Sequence, residues 1–265
     1  MKGRVLIVAG SDSGGGAGIQ GDLKTVTMLG AYGATAITAL TAQNTQGVFG
    51  VHEVPRDFIR QQMELVLQDI GADCLKTGML HSAPVIETVM RAVEELAPDT
   101  PLVADPVMVA KGGHALLDPA AVETLKRLVL PRASLLTPNV PEAEALCGLR
   151  IAGREEMIGA AEALKGLGAR AVLLKGGHLS GPTVADLLFT ADGPEFFEAP
   201  RIDTVHTHGT GCTTASAVAA GLAQGMPLRD SIARALAYVR RAIERAPGFG
   251  KGHGPLDHAH PLDRG

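Results

Sequence analysis

The chain has 265 residues, 46% hydrophobic and 20% charged, proportions that exclude a disordered chain and leave room for one large α/β domain. A formal net charge of −4 offers no basic surface for nucleic acid, and no apolar run reaches the roughly 20 residues that span a bilayer. Three irregularly spaced cysteines, Cys74, Cys147 and Cys212, speak against a disulfide framework and for a soluble protein of the reducing cytoplasm.

The chain opens on an apolar run, Val5-Leu6-Ile7-Val8-Ala9, cut short at Gly10. No small-residue cleavage pattern follows it, so it reads as a first strand over 4–9 rather than a signal peptide. A glycine-rich stretch leads into a helix over 17–29, then a strand over 33–42 and a helix over 56–69. The same alternation continues with strands over 73–77, 101–105, 133–137 and 170–175. Helices over 83–96, 119–129, 139–147 and 154–167 lie between them. Continuous apolar strands separated by helical periodicity predict a mostly parallel sheet covered on both faces, in a single domain over 1–265. The segment 183–205 breaks the rhythm: two strand-like runs flank Asp192-Gly193, which predicts an antiparallel hairpin extending one sheet edge. Two helices, over 211–225 and 228–245, precede a tail rich in Gly, Pro and His.

Ligands of open parallel sheets sit at the carboxyl ends of the strands. That rule selects the loops 10–18, 42–47, 76–80, 105–113, 137–142, 175–178 and 207–212. In the last of these, His208-Gly209-Thr210-Gly211-Cys212-Thr213 precedes a small-residue helix. Glycines can turn backbone N–H groups toward one point and the helix adds its positive end, which suits a phosphoryl group in transfer. The plainer alternative is a glycine-rich turn before a buried helix. Cys212 falls in the helix's first turn, where a thiol pKa is ordinarily lowered, so it could act as a base or line the hole. Cys74 and Cys147 read as small buried apolar groups.

Asn139 and Glu142, three apart at a helix start, could hold Mg²⁺ through its waters or simply form a capping box. Lys175, leaving a buried strand before Gly176-Gly177, can reach phosphate oxygens or be a strand-end lysine with its charge in solvent. Asp105 closes another strand and could position a metal or substrate, or cap a turn. Gly16-Ala17-Gly18-Ile19-Gln20-Gly21 matches a dinucleotide fingerprint, but Gln43-Asn44-Thr45 stand where a ribose-binding carboxylate would be required. No P-loop occurs. The histidines at 206, 208, 253, 258 and 260 match no common zinc spacing, and those of the tail are expected to be solvated.

Taken together, these motifs resemble the ribokinase-like superfamily and, within it, the hydroxymethylpyrimidine/phosphomethylpyrimidine kinases of thiamine biosynthesis. The resemblance rests on 9–20, Thr41-Ala42-Gln43-Asn44-Thr45, Lys76-Thr77-Gly78-Met79-Leu80, Asp105-Pro106-Val107-Met108, Leu136-Thr137-Pro138-Asn139, Leu174-Lys175-Gly176-Gly177-His178 and 207–213. It implies ATP- and Mg²⁺-dependent phosphorylation of 4-amino-5-hydroxymethyl-2-methylpyrimidine, then of its monophosphate, by a homodimer. Gln43 would bond the aminopyrimidine edge, with Gly10, Asp22, Met79 and Val107 around the substrate. Catalysis would fall to Gly209, Thr210, Gly211, Cys212 and Lys175. Lys175, Asn139, Thr210 and Gly211 would bind ATP, and Glu142 with Asp105 would bind the metal through water. Cys212 stands where sugar kinases of the superfamily carry an Asp base. Some pyridoxal kinases of the same branch share that thiol, which keeps pyridoxal open as a substrate, and a non-catalytic pyrimidine-binding domain would keep the same fold.

Overall fold

The strand beginning at Arg4 shows how the chain is layered. In β1 (Arg4–Ala9), Val5, Ile7 and Ala9 pack into one apolar cluster and Leu6 and Val8 into another. Side chains alternate across a strand, so β1 is buried on both faces and its sequence is continuously apolar. A computed structural model describes residues 1–109, 116–118 and 120–262. Its main sheet has eight strands in the order β10-β9-β8-β7-β6-β5-β1-β2. The remaining strands of that sheet are β2 (Tyr32–Ile37), β5 (Cys74–Thr77), β6 (Leu102–Ala104), β7 (Leu135–Leu136), β8 (Val172–Leu174), β9 (Thr183–Thr190) and β10 (Gly193–Pro200). Pairing is parallel from β2 to β8, while β9 and β10 add the antiparallel hairpin at one edge.

One face is covered by α2 (Arg56–Asp69), α3 (Ala83–Leu96), α4 (Ala121–Leu128), α5 (Val140–Cys147) and α6 (Arg154–Gly166). The other carries α1 (Gly18–Met28), α7 (Thr210–Ala223) and α8 (Leu228–Glu244). Ala215, Ser216, Ala217, Ala219 and Ala220 of α7 are fully buried. Their size lets this helix lie close against both the sheet and α8. No helix of the described residues is long and apolar enough to cross a membrane.

Two expectations change. The strand read over 33–42 is two strands, broken at Thr38, whose N–H donates to Ala9 O and whose hydroxyl donates to Met79 O. Beyond the break, β3 (Ala39–Asn44) leaves the sheet and pairs antiparallel with β4 (Gly47–Glu53), a strand not anticipated. Ala39 and Val48 of this hairpin pack with Met79, Leu116 and Val107 in a small separate core. The tail is likewise tied down rather than solvated. Lys251 and Gly252 donate to the Thr45 hydroxyl, His253 N–H donates to Thr45 O, and buried His258 bonds the Thr213 hydroxyl at 3.0 Å. Positions 110–113 of the expected 105–113 loop and residue 119 of the expected 119–129 helix lie outside the described residues.

Candidate active site

A cavity of about 880 Å³ runs along the carboxyl ends of the strands, from β1 to the β9–β10 hairpin. At the β1 end it is lined by Gly10, Thr41, Gln43, Met79 and Val107. At the other end Ala233, Leu236, Ala237 and Arg240 of α8 face Phe197 and Pro200 of β10. Lys175, Asp105 and the residues Gly209–Cys212 lie on its wall where the middle strands end. The sheet order thus places the charged groups between an end that carries the Gln43 amide and a groove between α8 and β10.

The central cluster is built by three strand ends and one helix start. Lys175 Nζ lies 3.0 Å from Asp105 Oδ1, which also accepts the Thr137 hydroxyl at 3.1 Å. Burial opposes the Lys175 charge, yet Asp105 and Glu142 outweigh it and hold the ammonium above its ordinary pKa. A methyl group placed on Gly211 would sit 3.1 Å from Lys175 Nζ and 3.8 Å from Asp105 Oδ2. The first turn of α7 therefore abuts the lysine directly. N–H groups of a helix's first turn have no intrahelical acceptor, so those of Gly211 and Cys212 can serve an anion there. Gly209 makes the approach possible. Its φ is +85°, and a Cβ on it would lie 1.9 Å from Gly16 O, a position no other residue fills.

Asn139 and Glu142 form a reciprocal capping box: Asn139 Oδ1 accepts from Glu142 N–H and Glu142 Oε2 accepts from Asn139 N–H. The amide oxygen is thereby committed to the helix. Burial, offset by Lys175, pushes the Glu142 carboxyl up to about 7. Among the described residues no three His, Cys, Asp or Glu are placed to cage a metal. Asp105 and Glu142, two carboxylates on the cavity wall, do fit Mg²⁺ that keeps most of its waters.

Gln43 is held at the other end by its backbone, which exchanges hydrogen bonds with the Ser13 hydroxyl. Its amide nitrogen lies 3.3 Å from His208 Nε2, and the same ring nitrogen lies 2.8 Å from Asp12 Oδ2. An imidazole N–H given to Asp12 leaves the Gln43 amide nitrogen open to a ligand edge, while its Oε1 lies 3.3 Å from the Thr41 hydroxyl. Asp12 also accepts from the N–H groups of Gly14, Gly16 and Ala17. Burial works against its charge, but His208 and the N–H groups of Ala17 and Gly14 hold the carboxyl below its usual range. Asp12 and His208 thus join the loop after β1 to the turn before α7.

Two of the expected site residues sit otherwise than their local sequence suggests. Asp22 does not line the substrate end. It is fully buried beneath the cavity, where its carboxylate accepts from Lys76 Nζ at 2.8 Å and from the Ser216 hydroxyl at 2.7 Å. Cys212 lines the cavity, and burial, with Asp22 and Asp105 nearby, pushes its thiol pKa up to about 12 against the pull of Lys76, opposite to the lowering expected at a helix start. The position in the first turn of α7 does not overcome that burial. Asp12 and Lys76 carry no local signal beyond their position at or just after a strand end, and His208, which the sequence alone brings up only as a metal ligand, instead bonds Asp12.

The family model described as phosphomethylpyrimidine kinase matches residues 12–257. Over 259 residues the chain is 55% identical to the thiamine biosynthesis bifunctional protein ThiED of Geobacter sulfurreducens. That match covers 97% of this chain and 52% of the relative, so the chain spans about half of that protein's length. It is 48% identical to the hydroxymethylpyrimidine/phosphomethylpyrimidine kinase of Bacillus subtilis, over 96% of this chain and 94% of the relative. Among solved structures, the ADP complex of Bacillus subtilis pyridoxal kinase superposes with a TM-score of 0.92 at 36% identity, covering both chains fully. The phosphomethylpyrimidine kinase of Clostridium difficile superposes with a TM-score of 0.81 at 39% identity, over 91% of this chain and all of the other.

Proposed function

The chain belongs to the phosphomethylpyrimidine kinase family, and on that premise we propose that it transfers the γ-phosphoryl group of ATP first to 4-amino-5-hydroxymethyl-2-methylpyrimidine and then to the resulting monophosphate. The observation that carries this reading is the meeting of Lys175 with the first turn of α7 between two unlike ends of one cavity. The end that carries Gln43, whose amide is offered to the amino and ring-nitrogen edge, takes the pyrimidine. The groove between α8 and β10 takes the nucleotide. The acceptor oxygen then faces the γ-phosphorus across the anion hole, an arrangement suited to in-line displacement.

The N–H groups of the Gly209–Cys212 turn stabilise the phosphoryl oxygens, Thr210 adds a hydroxyl, and Lys175 supplies a point charge. Magnesium bound through water near Asp105 and Glu142 supplies further neutralisation of phosphate charge. A loose transition state asks little of a base at the acceptor hydroxyl. The second acceptor, a phosphomonoester whose second pKa is about 6, is already an anion at neutral pH. A thiol held protonated therefore suits Cys212 to lining the hole rather than to taking a proton. The three free cysteines fit a cytoplasmic enzyme, and we take it to act there as a homodimer.

ADP release from MgATP, measured with hydroxymethylpyrimidine, its monophosphate and pyridoxal at equal concentration, tests the reading. Turnover with both pyrimidines and little with pyridoxal supports it. Preference for pyridoxal would overturn the substrate, and no turnover with any of the three would overturn the kinase assignment.

A further inference from the structure

Lys76 and Asp22 form an ion pair with both side chains fully buried. The ammonium donates to Asp22 Oδ2 at 2.8 Å. Lys76 nonetheless contributes to the cavity floor. The other Asp22 oxygen accepts from Ser216, which stands four residues after Cys212 and so on the same face of α7. Cys212 in turn has Lys76, Asp22 and Asp105 as its charged neighbours. The pair thus sits one layer beneath the first turn of α7, braced to that helix through Ser216 and to β5 through Lys76.

Stability alone does not account for such a pair. Apolar residues of similar volume usually hold a fold as well or better than a buried ion pair, and the rest of β5 and the helix around Ser216 are apolar or small. Charge placed at this depth acts on whatever occupies the hole above it. On the kinase reading above, that space lies between nucleotide and acceptor, and the transferring phosphoryl would enter it in transit. A fixed cation there favours the transition state over bound ATP, which is the condition for raising kcat rather than lowering KM.

We propose that Lys76 is a positioning residue for phosphoryl transfer: the brace of Asp22 and Ser216 holds its ammonium under the first turn of α7, where it biases the anion hole toward the transferring group. This rests on the kinase reading above. The Lys76→Met variant keeps the volume and removes the charge. Its kcat is expected to fall about 10- to 100-fold, short of the ~10²–10³ for a donor touching the oxyanion, with KM for ATP and pyrimidine within about threefold of wild type. By calorimetry, its affinity for MgADP alone should be unchanged. The complex trapped with MgADP, aluminium fluoride and hydroxymethylpyrimidine should weaken by a factor comparable to the loss in kcat, which a merely structural role would not produce.

If Lys76→Met does not fold, because Asp22 is left buried and unpaired, the double variant Lys76→Met/Asp22→Asn removes both charges and carries the same measurements. A folded variant with wild-type kcat, or one that loses only KM while the trapped complex is unaffected, overturns the inference. Wild-type protein that transfers no phosphoryl group would overturn the kinase reading and the inference with it, whereas an active wild type beside an equally active variant overturns the inference alone.

Discussion

Two glycines two residues apart should fail in opposite ways when changed to alanine. At Gly211 the added methyl would meet Lys175 Nζ at 3.1 Å and Asp105 Oδ2 at 3.8 Å. Ordinary contact lies at about 3.5–4.0 Å, so the ammonium must retreat by a few tenths of an ångström. The end of a lysine can do that without disturbing the fold. Alanine is also favoured over glycine within a helix by up to about 1 kcal/mol. Gly211→Ala should therefore melt at or slightly above the wild-type temperature. Its methyl, however, occupies the space of a phosphoryl oxygen, and the expected loss in kcat is ~10²–10³, or about 2.7–4 kcal/mol, as for an anion-hole donor. At Gly209 the φ of +85° alone costs an L-residue about 1–2 kcal/mol. The methyl would also lie 1.9 Å from Gly16 O, a backbone atom that can move only with its loop. At roughly 2–4 °C per kcal/mol for a chain of this size, Gly209→Ala should melt at least a few degrees lower. Calorimetric melting and steady-state ADP release on both variants separate the cases. A Gly211→Ala enzyme with wild-type kcat would refute the placement of the anion hole.

Gln43→Ala should raise KM for hydroxymethylpyrimidine about tenfold, the worth of one or two hydrogen bonds, with KM for ATP unchanged; equal shifts in both would place Gln43 elsewhere. Cys212, with its thiol pushed up to about 12, should be alkylated by iodoacetamide slowly at pH 7.5 and faster only at strongly alkaline pH. Rapid labelling at neutral pH, mapped by peptide mass, would restore the thiolate reading. Burial lowers the pKa of His258 to about 4. Its neutral form is thus favoured in the folded state, and stability present above pH 6.5 should be lost as pH falls toward 4, by up to about 3 kcal/mol at 1.36 kcal/mol per unit. Melting temperatures of wild type and His258→Gln between pH 7.5 and 4 check this. The variant should start lower, having a weaker anchor to Thr213, and lose less on acidification; parallel curves would contradict it.

The helices and the central strands were legible because each face of β1 and each helix stripe is committed to one apolar cluster, so period and burial agree. The hairpin of β3 and β4 was not. Its turn, Thr45-Gln46, lacks the Asn-Gly or Asp-Gly signal that exposes the β9–β10 turn. The break at Thr38 depends on bonds to Ala9 and Met79, far away in sequence. The site divides in the same way. That Gly209, Gly211, Lys175 and Asp105 lie together could be expected, because each stands at a strand end or at the glycine turn before a helix, where an open parallel sheet gathers its loops. The placement of Asp22 was not legible because its partner Lys76 lies 54 positions along the chain, and nothing local says that this carboxylate points down into the core. The low-pKa expectation for Cys212 failed because local position at a helix start was weighed without the burial and the two carboxylates that tertiary structure adds.

The most direct test of the two-step transfer is a ³¹P NMR time course of wild type and Lys175→Met with MgATP and hydroxymethylpyrimidine. The wild type should show a phosphomonoester resonance that rises and then gives way to a diphosphate pair as ADP accumulates, while Lys175→Met forms both far more slowly. A phosphomonoester that never converts, or a Lys175→Met enzyme as fast as wild type, would contradict one cavity and one anion hole serving both steps.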